Sequence, residues 1–557
     1  MKGKVLKSVA LAAVVAMVVL VLLVLTAVAG PQQPASKEGP DLKWKEKVPK
    51  FQQNLQAAGF NVHPAAFSYM DFVKLACTDI LPSALANNPW PNAYLVLTDT
   101  HLLENPNDVR MYDPRGPGYD RNFWWQLRED EAFVLVGETP PEVRYFGFST
   151  YAYFLPDDPL TSGVDEARQP RGIAVGDAIN NATIHTVSPD PFLAPIVYII
   201  TGNRETERRV SAAALAAGYP AAIINVEAIS PIIAPLGIGP QDTVFALGLR
   251  TAVPASSADL TEYILNASDH MKVFRVTPLN ADGQLQVEPV FADDPEPVPV
   301  LRPKGTGYTE MELYPALKSL RAAILNRYAS LFPGDPGYGF KELDTDIWSI
   351  ANDHIADCEK PYAQQQRGRF AVACTRDNNY LATGPLFKLR NNVDEFAIVY
   401  GVNHQATEKS TYASFSLYGH PLKQIGLGTA VSTKFDLRPD GTGSPGDSAR
   451  QYLSPDDPYY QYADKLYAWK VARDCAEGEP YCLEVDNQFE SPLGDIYNYT
   501  CPAYLDYENG EDWLWFIFRN YMEPATKVGP DDNELVYDRA IYFGPGEFLD
   551  WGDVEEQ

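Results

Sequence analysis

Histidine, cysteine and basic residues are all scarce in this chain. Its 557 residues include 7 histidines and 6 cysteines, and 45 Lys and Arg residues stand against 73 Asp and Glu residues, which gives a formal net charge of -28. A surface this acidic repels phosphate backbones, so we expect no nucleic-acid partner. Cations, neutral sugars and basic proteins are partners that such a charge permits.

Several motifs of catalysis are also missing. The chain has no G-x-S-x-G nucleophile elbow, no G-x-x-x-x-G-K-[ST] phosphate loop and no H-E-x-x-H zinc motif. A standard α/β-hydrolase serine, a P-loop ATP site and a zincin site are therefore unsupported. No C-x-x-C pair occurs either, which argues against a metal cluster built from cysteines.

The six cysteines are an even number, which suits disulfide pairing in an oxidising compartment. We expect one bridge between Cys358 and Cys374 and a second within the C-terminal group of three. That group consists of Cys475, Cys482 and Cys501. Its remaining member would join Cys77 or leave it as a buried free thiol.

Charge is absent from Ser8 to Ala29, directly after Lys2, Lys4 and Lys7. This pattern predicts a membrane or export helix over residues 1–29. Its length favours an uncleaved signal anchor, whereas the small-x-small residues 27–29 favour a cleaved signal peptide. In both cases the rest of the chain is expected to be extracytoplasmic, tethered to the membrane by a single N-terminal helix or secreted.

Proline-rich stretches divide the remaining chain. Residues 30–45 are expected to be a linker, and residues 291–305, with alternating prolines, a second linker of extended chain. The predicted domains are residues 46–290 and residues 306–557. The predicted fold class is α+β and β-rich, with two β-sandwich-like domains, the first of which carries a βαβ-type α/β insertion near residues 190–230.

The elements of the first domain follow from apolar runs and their ends. Strands are expected at residues 133–136 and 143–154. An apolar run over residues 195–200, a helix from residue 204 to 217 and a second run over residues 222–226 predict the βαβ unit. Asn203 is the expected helix cap and Gly218 the expected stop.

The second domain is expected to open with a helix. Pro315 suits its first turn, and apolar residues follow at steps of three and four. These residues are Leu317, Leu320, Ile324, Tyr328 and Leu331. Strands are expected at residues 396–402, 412–418 and 513–518.

The chain also contains a weak internal echo. Residues 134–137 and 148–151 of the first domain resemble residues 399–401 and 415–418 of the second. Two related β-hairpins, one in each domain, would explain the echo. Chance similarity between aromatic strands explains it as well.

His404 is the sharpest candidate for catalysis, because it follows an apolar strand and could act as a base or a metal ligand. The alternative is that it only supplies hydrogen bonds to a turn. A second candidate group is Asp353, His354 and Asp357, which a helix would bring to adjacent positions. These residues could hold a cation or act as an acid/base pair, or simply form a solvated acidic face.

Residues 436–447 resemble a calcium loop in part. Asp436, Asp440 and Asp447 stand at loop positions 1, 5 and 12, with Gly441 at position 6. Arg438 at position 3 departs from the pattern, and an ordinary surface loop is the alternative. Ca²⁺ is the one cofactor that the sequence indicates.

The chain is rich in aromatic residues, with 32 tyrosines and 9 tryptophans. Tyrosine tolerates partial exposure and stacks on sugar faces or on protein partners. We therefore expect an extracytoplasmic binding protein for a glycan or a protein partner, stabilised by Ca²⁺. The alternatives are an exported hydrolase, for example one that uses Asp or Glu with a histidine to cleave glycosidic bonds, and a structural component of the envelope.

Overall fold

The structure, a computed structural model, describes residues 43–70, 94–99, 123–154, 172–239, 242–286, 288–291, 293–331, 339–347, 375–390, 394–420, 425–431, 445–485 and 513–549. Over these ranges the chain is β-rich, as predicted, and forms two mixed sheets, one of which curls into a half-barrel. The predicted helix over residues 1–29 lies outside the described residues. Among the helices that are described, none is both long and apolar enough to cross a membrane.

Ten strands form the first sheet. In chain order they are β1 (Phe60–Tyr69), β2 (Tyr94–Thr98), β3 (Ala132–Glu138), β4 (Val143–Phe154), β5 (Ile173–Ala174), β6 (Ile179–Asn180), β7 (Pro195–Thr201), β8 (Ile224–Ala228), β9 (Val244–Pro254) and β10 (Met271–Pro278).

Eleven strands form the second sheet. In chain order they are β11 (Gly339–Ile347), β12 (Asn378–Gly384), β13 (Leu386–Phe387), β14 (Phe396–Val402), β15 (Tyr412–His420), β16 (Ile425–Val431), β17 (Leu466–Ala472), β18 (Cys482–Glu484), β19 (Trp513–Tyr521), β20 (Arg539–Gly544) and β21 (Phe548–Leu549).

Helices lie between these strands and at their ends. The α-helices are α1 (Trp44–Ala57), α2 (Arg204–Ala217), α3 (Ser257–Leu265), α4 (Ala267–His270), α5 (Tyr314–Tyr328) and α6 (Pro445–Arg450). Short 3₁₀ turns lie at Ala221–Ile223, Glu310–Leu313, Ala329–Leu331, Tyr460–Lys465 and Asp532–Glu534. The domain limits 46–290 and 306–557 stay predictions.

The two sheets repeat one strand order. The first runs β5-β4-β9-β2-β1-β10-β3-β7-β8, and the second runs β16-β15-β19-β12-β11-β20-β14-β17-β18. Once β6, β13 and β21 are set aside, strands that come at the same point in chain order occupy the same place in the two sheets. Neighbours are antiparallel except at one edge, where β7 with β8 and β17 with β18 are parallel. The described chain thus contains two copies of one topology.

The repeat extends to the residue register. Tyr94 of β2 lies opposite Arg250 of β9, and Tyr380 of β12 lies opposite Arg519 of β19. On the other side of each arginine, Gly147 faces Arg250 and Ser414 faces Arg519. Arg250 and Arg519 are therefore equivalent residues, as are Tyr94 and Tyr380.

The echo predicted from the sequence falls on equivalent strands. Residues 134–137 lie in β3 and residues 399–401 in β14, while Phe148 of β4 and Phe415 of β15 occupy matching positions beside the arginines. The expectation of two hairpins is wrong, however. Strand β3 pairs with β10 and β7, and β4 pairs with β9, β5 and β6, so the echoing strands are not neighbours.

Glycine is needed at one equivalent position in each sheet. A Cβ atom at Gly137 would collide with Met271, and a Cβ atom at Gly401 would collide with Asp538. In both sheets the side chain at the start of the adjacent strand crosses over the glycine. Both repeats therefore have a glycine at this position, but its neighbour is the apolar Met271 in the first and the acidic Asp538 in the second.

Strands near opposite ends of each sheet meet across an apolar core. In the first sheet the rings of Phe148 in β4 and Tyr198 in β7 lie 5.0 Å apart. In the second sheet the rings of Phe415 in β15 and Tyr467 in β17 lie 6.2 Å apart. In each sheet, strands near the two ends thus contact each other through side chains of one face, and the alternate side chains lie on the other face.

The predicted βαβ unit is confirmed as the parallel edge of the first sheet. Helix α2 joins β7 to β8, and Asn203 caps it by accepting a hydrogen bond from the Thr206 backbone N–H at 3.0 Å. Gly218 ends the helix with a φ of 98°, a left-handed conformation that suits glycine.

The predicted opening helix of the second domain is confirmed as α5. Its stripe of Leu317, Leu320 and Ile324 is buried against the second sheet. Leu331 lies beyond the helix end and is 44% exposed, so it does not extend the stripe. The five strands predicted at residues 133–136, 143–154, 396–402, 412–418 and 513–518 all lie within β-strands of the structure.

The predicted linker over residues 291–305 is fastened at both ends. The Phe291 backbone N–H donates to the buried Asp130 carboxylate at 3.2 Å. The Thr306 backbone N–H donates to the Glu534 carboxylate at 2.9 Å. The proline-rich segment is thereby tied to residues that neighbour each sheet.

A disulfide joins Cys475 to Cys482. This confirms the predicted bridge within the C-terminal group of three. Cys77, Cys358, Cys374 and Cys501 lie outside the described residues. The same bridge closes the connection from β17 to β18, the place that helix α2 occupies in the first sheet.

Candidate functional site

The outward faces of the two sheets pack against each other. The rings of Tyr145 in β4 and Tyr521 in β19 lie 5.1 Å apart, and both side chains are fully buried. Ala252 in β9 and Tyr412 in β15 belong to the same buried group. Equivalent strands of the repeat therefore meet, and residues that are equivalent in sequence come together in space.

A set of arginines and tyrosines lies at this junction, and we call it the arginine–tyrosine cluster. Its members are Arg250, Arg519, Tyr94, Tyr380, Tyr418 and Tyr521. Both arginines are buried, with exposures of 6% for Arg250 and 1% for Arg519. Two guanidinium groups are thus withdrawn from water on a protein whose net charge is strongly negative.

Arg519 is held by its own sheet. It donates from Nη2 to the Tyr418 hydroxyl at 2.6 Å and from Nη1 to the Ser416 hydroxyl at 3.3 Å. Its guanidinium also lies 5.3 Å from the Tyr418 ring centroid and 5.4 Å from that of Tyr380. These contacts combine hydrogen bonds with cation–π attraction, which suits a structural arginine.

Arg250 reaches to the other sheet instead. From Nη1 it donates to the Tyr521 hydroxyl and, at 3.5 Å, to the Tyr380 hydroxyl. The guanidinium lies 4.8 Å from the Tyr94 ring centroid and 4.9 Å from that of Tyr521. The equivalents of the two hydroxyls that hold Arg519 are Ser149 and Tyr151, and Ser149 interacts with Tyr151.

Several buried polar atoms at this junction have no hydrogen-bond partner among the described residues. They include Nε of Arg250, both side-chain atoms of the Asn378 amide, Nδ2 and Oδ1, and Oδ1 of Asp377, whose carboxyl group lies beside Gly147. Asn378 is 2% exposed and lies opposite Tyr521 in the sheet, two residues from Tyr380 on the same face. Buried polar groups are normally hydrogen-bonded, so these atoms mark a place where another polar group would be stabilised.

The tyrosines of the cluster differ in acidity. Burial raises the pKa of Tyr94 and of Tyr521 well above the ordinary value. Burial would also raise the pKa of Tyr380, but Arg250 and Arg519 outweigh it and lower that pKa below the ordinary value of 10.0. Tyr380 is partly exposed, whereas Tyr521 is fully buried. The cluster thus holds a partly exposed tyrosine whose pKa is lowered by two neighbouring cations.

The sequence-predicted candidate His404 lies elsewhere, between two carboxylates. Its Nδ1 is 2.9 Å from Glu310 Oε1 and its Nε2 is 3.2 Å from Asp538 Oδ2. The side chain is 2% exposed. Burial would lower the pKa of His404, but the two carboxylates outweigh it and raise that pKa to about 10. The residue is an imidazolium near neutral pH, and neither ring nitrogen is free for a substrate or a metal ion.

A small cavity adjoins His404. It has room for about one water molecule, with a volume of ≈ 10 Å³ for the water centre. Asn403, Ser414, Asn520 and Asp538 supply its polar lining. A cavity of this size is too small for a sugar ring, so these contacts favour a structural role for His404.

The other predicted site residues are not tested by the structure. Asp353, His354, Asp357, Asp436 and Asp440 lie outside the described residues. Asp447 lies in the short helix α6. Both the acidic cluster and the calcium loop therefore stay predictions.

Among the described residues, one group of potential metal ligands comes together, at Cys475, Glu479 and Cys482. The two sulfur atoms are bonded to each other in a disulfide. A metal ion binds cysteine as a thiolate, so this group is unsuited to holding one while the bridge is intact.

The tyrosines are placed differently from the sequence-based expectation. Eight of the largest fully buried side chains are tyrosines, including Tyr145, Tyr412 and Tyr521. Among the described residues, Tyr308 is the one largely exposed tyrosine, with 79% of its surface accessible. Within these limits the abundance of tyrosine serves the core and the junction of the two sheets.

Sequence reasoning missed Arg250 and Arg519. A signal was present in the repeated pattern Y-x-x-F-S-x-Y, which spans residues 145–151 and residues 412–418. Both copies place tyrosines on the outward face beside an arginine of the next strand. Only the strand order, however, reveals that the two faces meet.

Comparisons with known proteins give structural neighbours but no relative of established activity. No family model matches the chain, and no curated protein matches it. The crystal structure of the VPA0106 protein from Vibrio parahaemolyticus is similar at 10% identity, covering 90% of this chain and 99% of that one, with a TM-score of 0.33. An uncharacterised protein from Burkholderia cenocepacia is similar at 11% identity, covering 91% of each chain, with a TM-score of 0.30.

Proposed function

We propose that this protein binds a small anionic ligand in the arginine–tyrosine cluster, and that the ligand is an acidic sugar or the acidic unit of a glycan. The observation that carries the proposal is Arg250. It is buried, makes no ion pair with a described carboxylate, and keeps its Nε–H without a partner among the described residues.

The charge of Arg250 explains why the ligand is an anion. Burying a cation is costly unless an opposite charge or several hydrogen bonds compensate for it. The equivalent Arg519 is stabilised by Ser416 and Tyr418 of its own sheet. Arg250 lacks that arrangement, and the edge of its guanidinium that carries Nε matches the two oxygens of a carboxylate.

The surrounding rings explain why the anion is carried by a sugar. Tyr151 and Tyr380 are the partly exposed rings near Arg250, and aromatic faces stack on the apolar faces of sugar rings. Asn378 offers a donor and an acceptor that suit sugar hydroxyls. Tyr151 and Tyr380 are partly exposed, which provides access from solvent.

The remaining features of the sequence-based expectation belong to the same proposal. We propose an extracytoplasmic protein, held by its N-terminal helix or secreted, with Ca²⁺ stabilising the loop over residues 436–447. We also propose that each repeat is a β-sandwich-like domain. Support for this comes from the contacts of Phe148 with Tyr198 and of Phe415 with Tyr467 across the two cores.

An exported hydrolase is the alternative proposal, and a structural envelope component is a third. The contacts of His404 do not favour the hydrolase, because a histidine whose nitrogens both face carboxylates is not available as a base. Asp353, His354 and Asp357 remain the candidate catalytic residues for such a hydrolase.

The test is calorimetric titration of the full-length protein with matched probes. We expect D-glucuronate to bind and D-glucose not to bind, with inorganic phosphate and sulfate as separate arms for a bare anion. Removing a charged hydrogen bond costs about 1.5–3 kcal/mol, so Arg250→Met should weaken glucuronate binding by about 10- to 150-fold.

Arg327 provides the matched control. It is exposed and stacks on a tyrosine, with its guanidinium 5.0 Å from the Tyr452 ring centroid. Arg327→Met should leave binding unchanged. Equal binding of glucuronate and glucose, or full binding by Arg250→Met, would refute the proposal, and binding of phosphate alone would replace the sugar with a simple anion.

A further inference from the structure

We propose that Gly248 forms the floor of the ligand site and keeps open the space that the ring of the bound sugar acid occupies. The proposal rests on the function proposed above and deepens it, because it names the residue that admits a ring beside Arg250. In this arrangement Arg250 selects a carboxylate, and Gly248 selects a ligand whose carboxylate is attached to a ring.

Comparison of the two repeats draws attention to Gly248. This residue of β9 lies opposite Ser149, and Ile517 of β19 lies opposite Ser416. Because Ser149 and Ser416 occupy the same place in the two sheets, Gly248 is the equivalent of Ile517. The first repeat therefore has no side chain at a position where the second repeat has a branched one.

The space above Gly248, which we call the notch, is open. Among the described residues, a Cβ atom placed on Gly248 would meet one atom within 4 Å, Cε2 of Tyr151 at the ordinary contact distance of 3.9 Å. Gly248 is partly exposed although β9 has a neighbouring strand on each side. Ile517, by contrast, is 1% exposed and belongs to a buried group with Tyr418 and Trp515. The corresponding space is thus filled in the second repeat and accessible in the first.

The two arginines add to this difference. In the second repeat the Arg519 guanidinium lies against its own sheet and donates to the Tyr418 hydroxyl at 2.6 Å. In the first repeat Arg250 donates to Tyr521 of the other sheet instead. Tyr151, the equivalent of Tyr418, therefore does not carry a guanidinium. The first sheet lacks both the isoleucine side chain and the guanidinium that cover this part of the second sheet.

The notch adjoins the proposed anion site along one strand. Gly248 and Arg250 are two residues apart in β9, so they lie on the same face of the sheet with their backbones about 6.8 Å apart. Nη1 of Arg250 is directed to the other sheet, which leaves the edge that carries Nε for a carboxylate. A ring attached to that carboxylate fits over Gly248, and the Tyr151 ring at the side of the notch offers it an aromatic surface.

The test fills the notch with the residue of the second repeat. Gly248 does not have a left-handed backbone conformation, so Gly248→Ile in the full-length protein should fold. Its melting temperature should equal or exceed that of the wild type, because glycine weakens the interior of a strand and isoleucine favours one. Calorimetric titration should show that D-glucuronate binds about 5- to 150-fold more weakly, the cost of an overpacked contact. Gly248→Ala adds one methyl group and should weaken binding less.

Gly339 of β11 provides the matched control. It is also a strand glycine, and a Cβ atom placed on it would meet no atom of the described chain within 4 Å. Gly339→Ile should therefore fold like the wild type and bind D-glucuronate with unchanged affinity.

The outcomes separate this inference from the proposed function. Weaker binding by Gly248→Ile with an undiminished melting temperature supports both. Full binding by Gly248→Ile overturns the inference, and the proposed function stands if Arg250→Met still weakens binding. A clear fall in the melting temperature of Gly248→Ile would show that the notch is not open, and an equal loss of binding in Gly339→Ile would show that the loss is not specific to it. Each of these results overturns the inference. If D-glucuronate does not bind to the wild type, the proposed function fails and the inference fails with it.

Discussion

The two repeats of this protein share a strand order and a register, yet they treat their polar groups differently. Beside the equivalent glycines Gly137 and Gly401, the first repeat has Met271 and the second has Asp538. Asp538 contacts His404, which also contacts Glu310. The parallel edge strands are joined by helix α2 in one repeat and by a short disulfide-closed segment in the other.

The arginines at the junction differ in the same way. Arg519 is bound by hydroxyls of its own sheet, whereas Arg250 reaches across to Tyr521 and Tyr380. The two repeats thus share a backbone topology, but their equivalent arginines make different contacts. Of the two equivalent arginines, Arg519 stabilises its own sheet, and Arg250 is the one that we propose to bind a ligand.

The largest loss of stability is expected on replacement of His404, in the second repeat. His404→Gln leaves Glu310 and Asp538 buried without their cation, and removing one partner of a buried ion pair typically costs about 3–5 kcal/mol. His270 of the first repeat is the matched control. It also lies between two carboxylates, Glu138 and Glu262, but is 15% exposed.

His270→Gln should cost no more than about 1 kcal/mol, because contacts between partly exposed polar side chains contribute little. Denaturant unfolding of both variants measures the difference. Equal losses in the two variants would mean that the buried carboxylates tolerate the loss of His404. The second repeat would then not depend on its buried histidine more than the first depends on His270.

The same histidine predicts a pH dependence. The native state raises the pKa of His404 from 6.5 to about 10, so it holds a proton that the unfolded chain releases above pH 6.5. The stability that this provides is complete below about pH 6.5 and is lost as the pH rises toward 10. Unfolding free energy should therefore fall across this window in the wild type, and the difference between wild type and His404→Gln should shrink. A constant difference across the window would contradict the ionised assignment.

A smaller effect is expected from the disulfide that takes the place of helix α2. Cys475 and Cys482 are separated by 7 residues, and closing so short a loop contributes about 2–3 kcal/mol in the chain-entropy treatment. The double variant Cys475→Ser/Cys482→Ser should lose about that much, measured by denaturant unfolding. Reductant should destabilise the wild type but have no further effect through this bridge on the variant. A negligible loss in the double variant would show that the segment is ordered by its side-chain packing alone.

The two arginines are expected to separate stability from binding. Arg519→Met leaves the Ser416 and Tyr418 hydroxyls without their donor in a buried setting, which costs about 1–3 kcal/mol. Arg250→Met removes a buried cation with an unpartnered nitrogen, so we expect its stability to fall by less than that of Arg519→Met, while glucuronate binding weakens by about 10- to 150-fold. Thermal unfolding of both variants, with and without D-glucuronate, makes the comparison. A larger loss of stability in Arg250→Met than in Arg519→Met would contradict the assignment of Arg519 as the structural arginine.

Much of the local structure could be predicted from the sequence, because apolar runs, caps and stops act over short distances. The βαβ unit with Asn203 and Gly218 and helix α5 are examples. The partners of His404 could not be predicted, since Glu310 and Asp538 lie 94 and 134 residues away. The junction required the strand order, because only pairing brings the two repeated tyrosine patterns to facing surfaces.

The tyrosines show why composition was a poor guide to the site. A high tyrosine content favours an exposed binding surface, but most of the described tyrosines lie in the cores or at the junction. Tyrosine combines a large apolar ring with one hydroxyl, so it can fill a core and still satisfy a buried arginine. The site that we propose is marked instead by the pairing of tyrosine with arginine on neighbouring strands.

The smallest expected effect is a difference in pKa between the equivalent tyrosines Tyr380 and Tyr94, which titration of Tyr380 would test. Because Arg250 and Arg519 lower its pKa, ultraviolet difference spectra should show a phenolate forming below pH 10, while Tyr94 and Tyr521, whose pKa values burial raises, stay protonated there. The signal should vanish in Tyr380→Phe and persist in Tyr94→Phe. In Arg250→Met it should move to higher pH, because one of the two cations is gone. Absence of a phenolate below pH 10 in the wild type would make Tyr380 an ordinary phenol, and the two equivalent tyrosines would then differ in exposure alone.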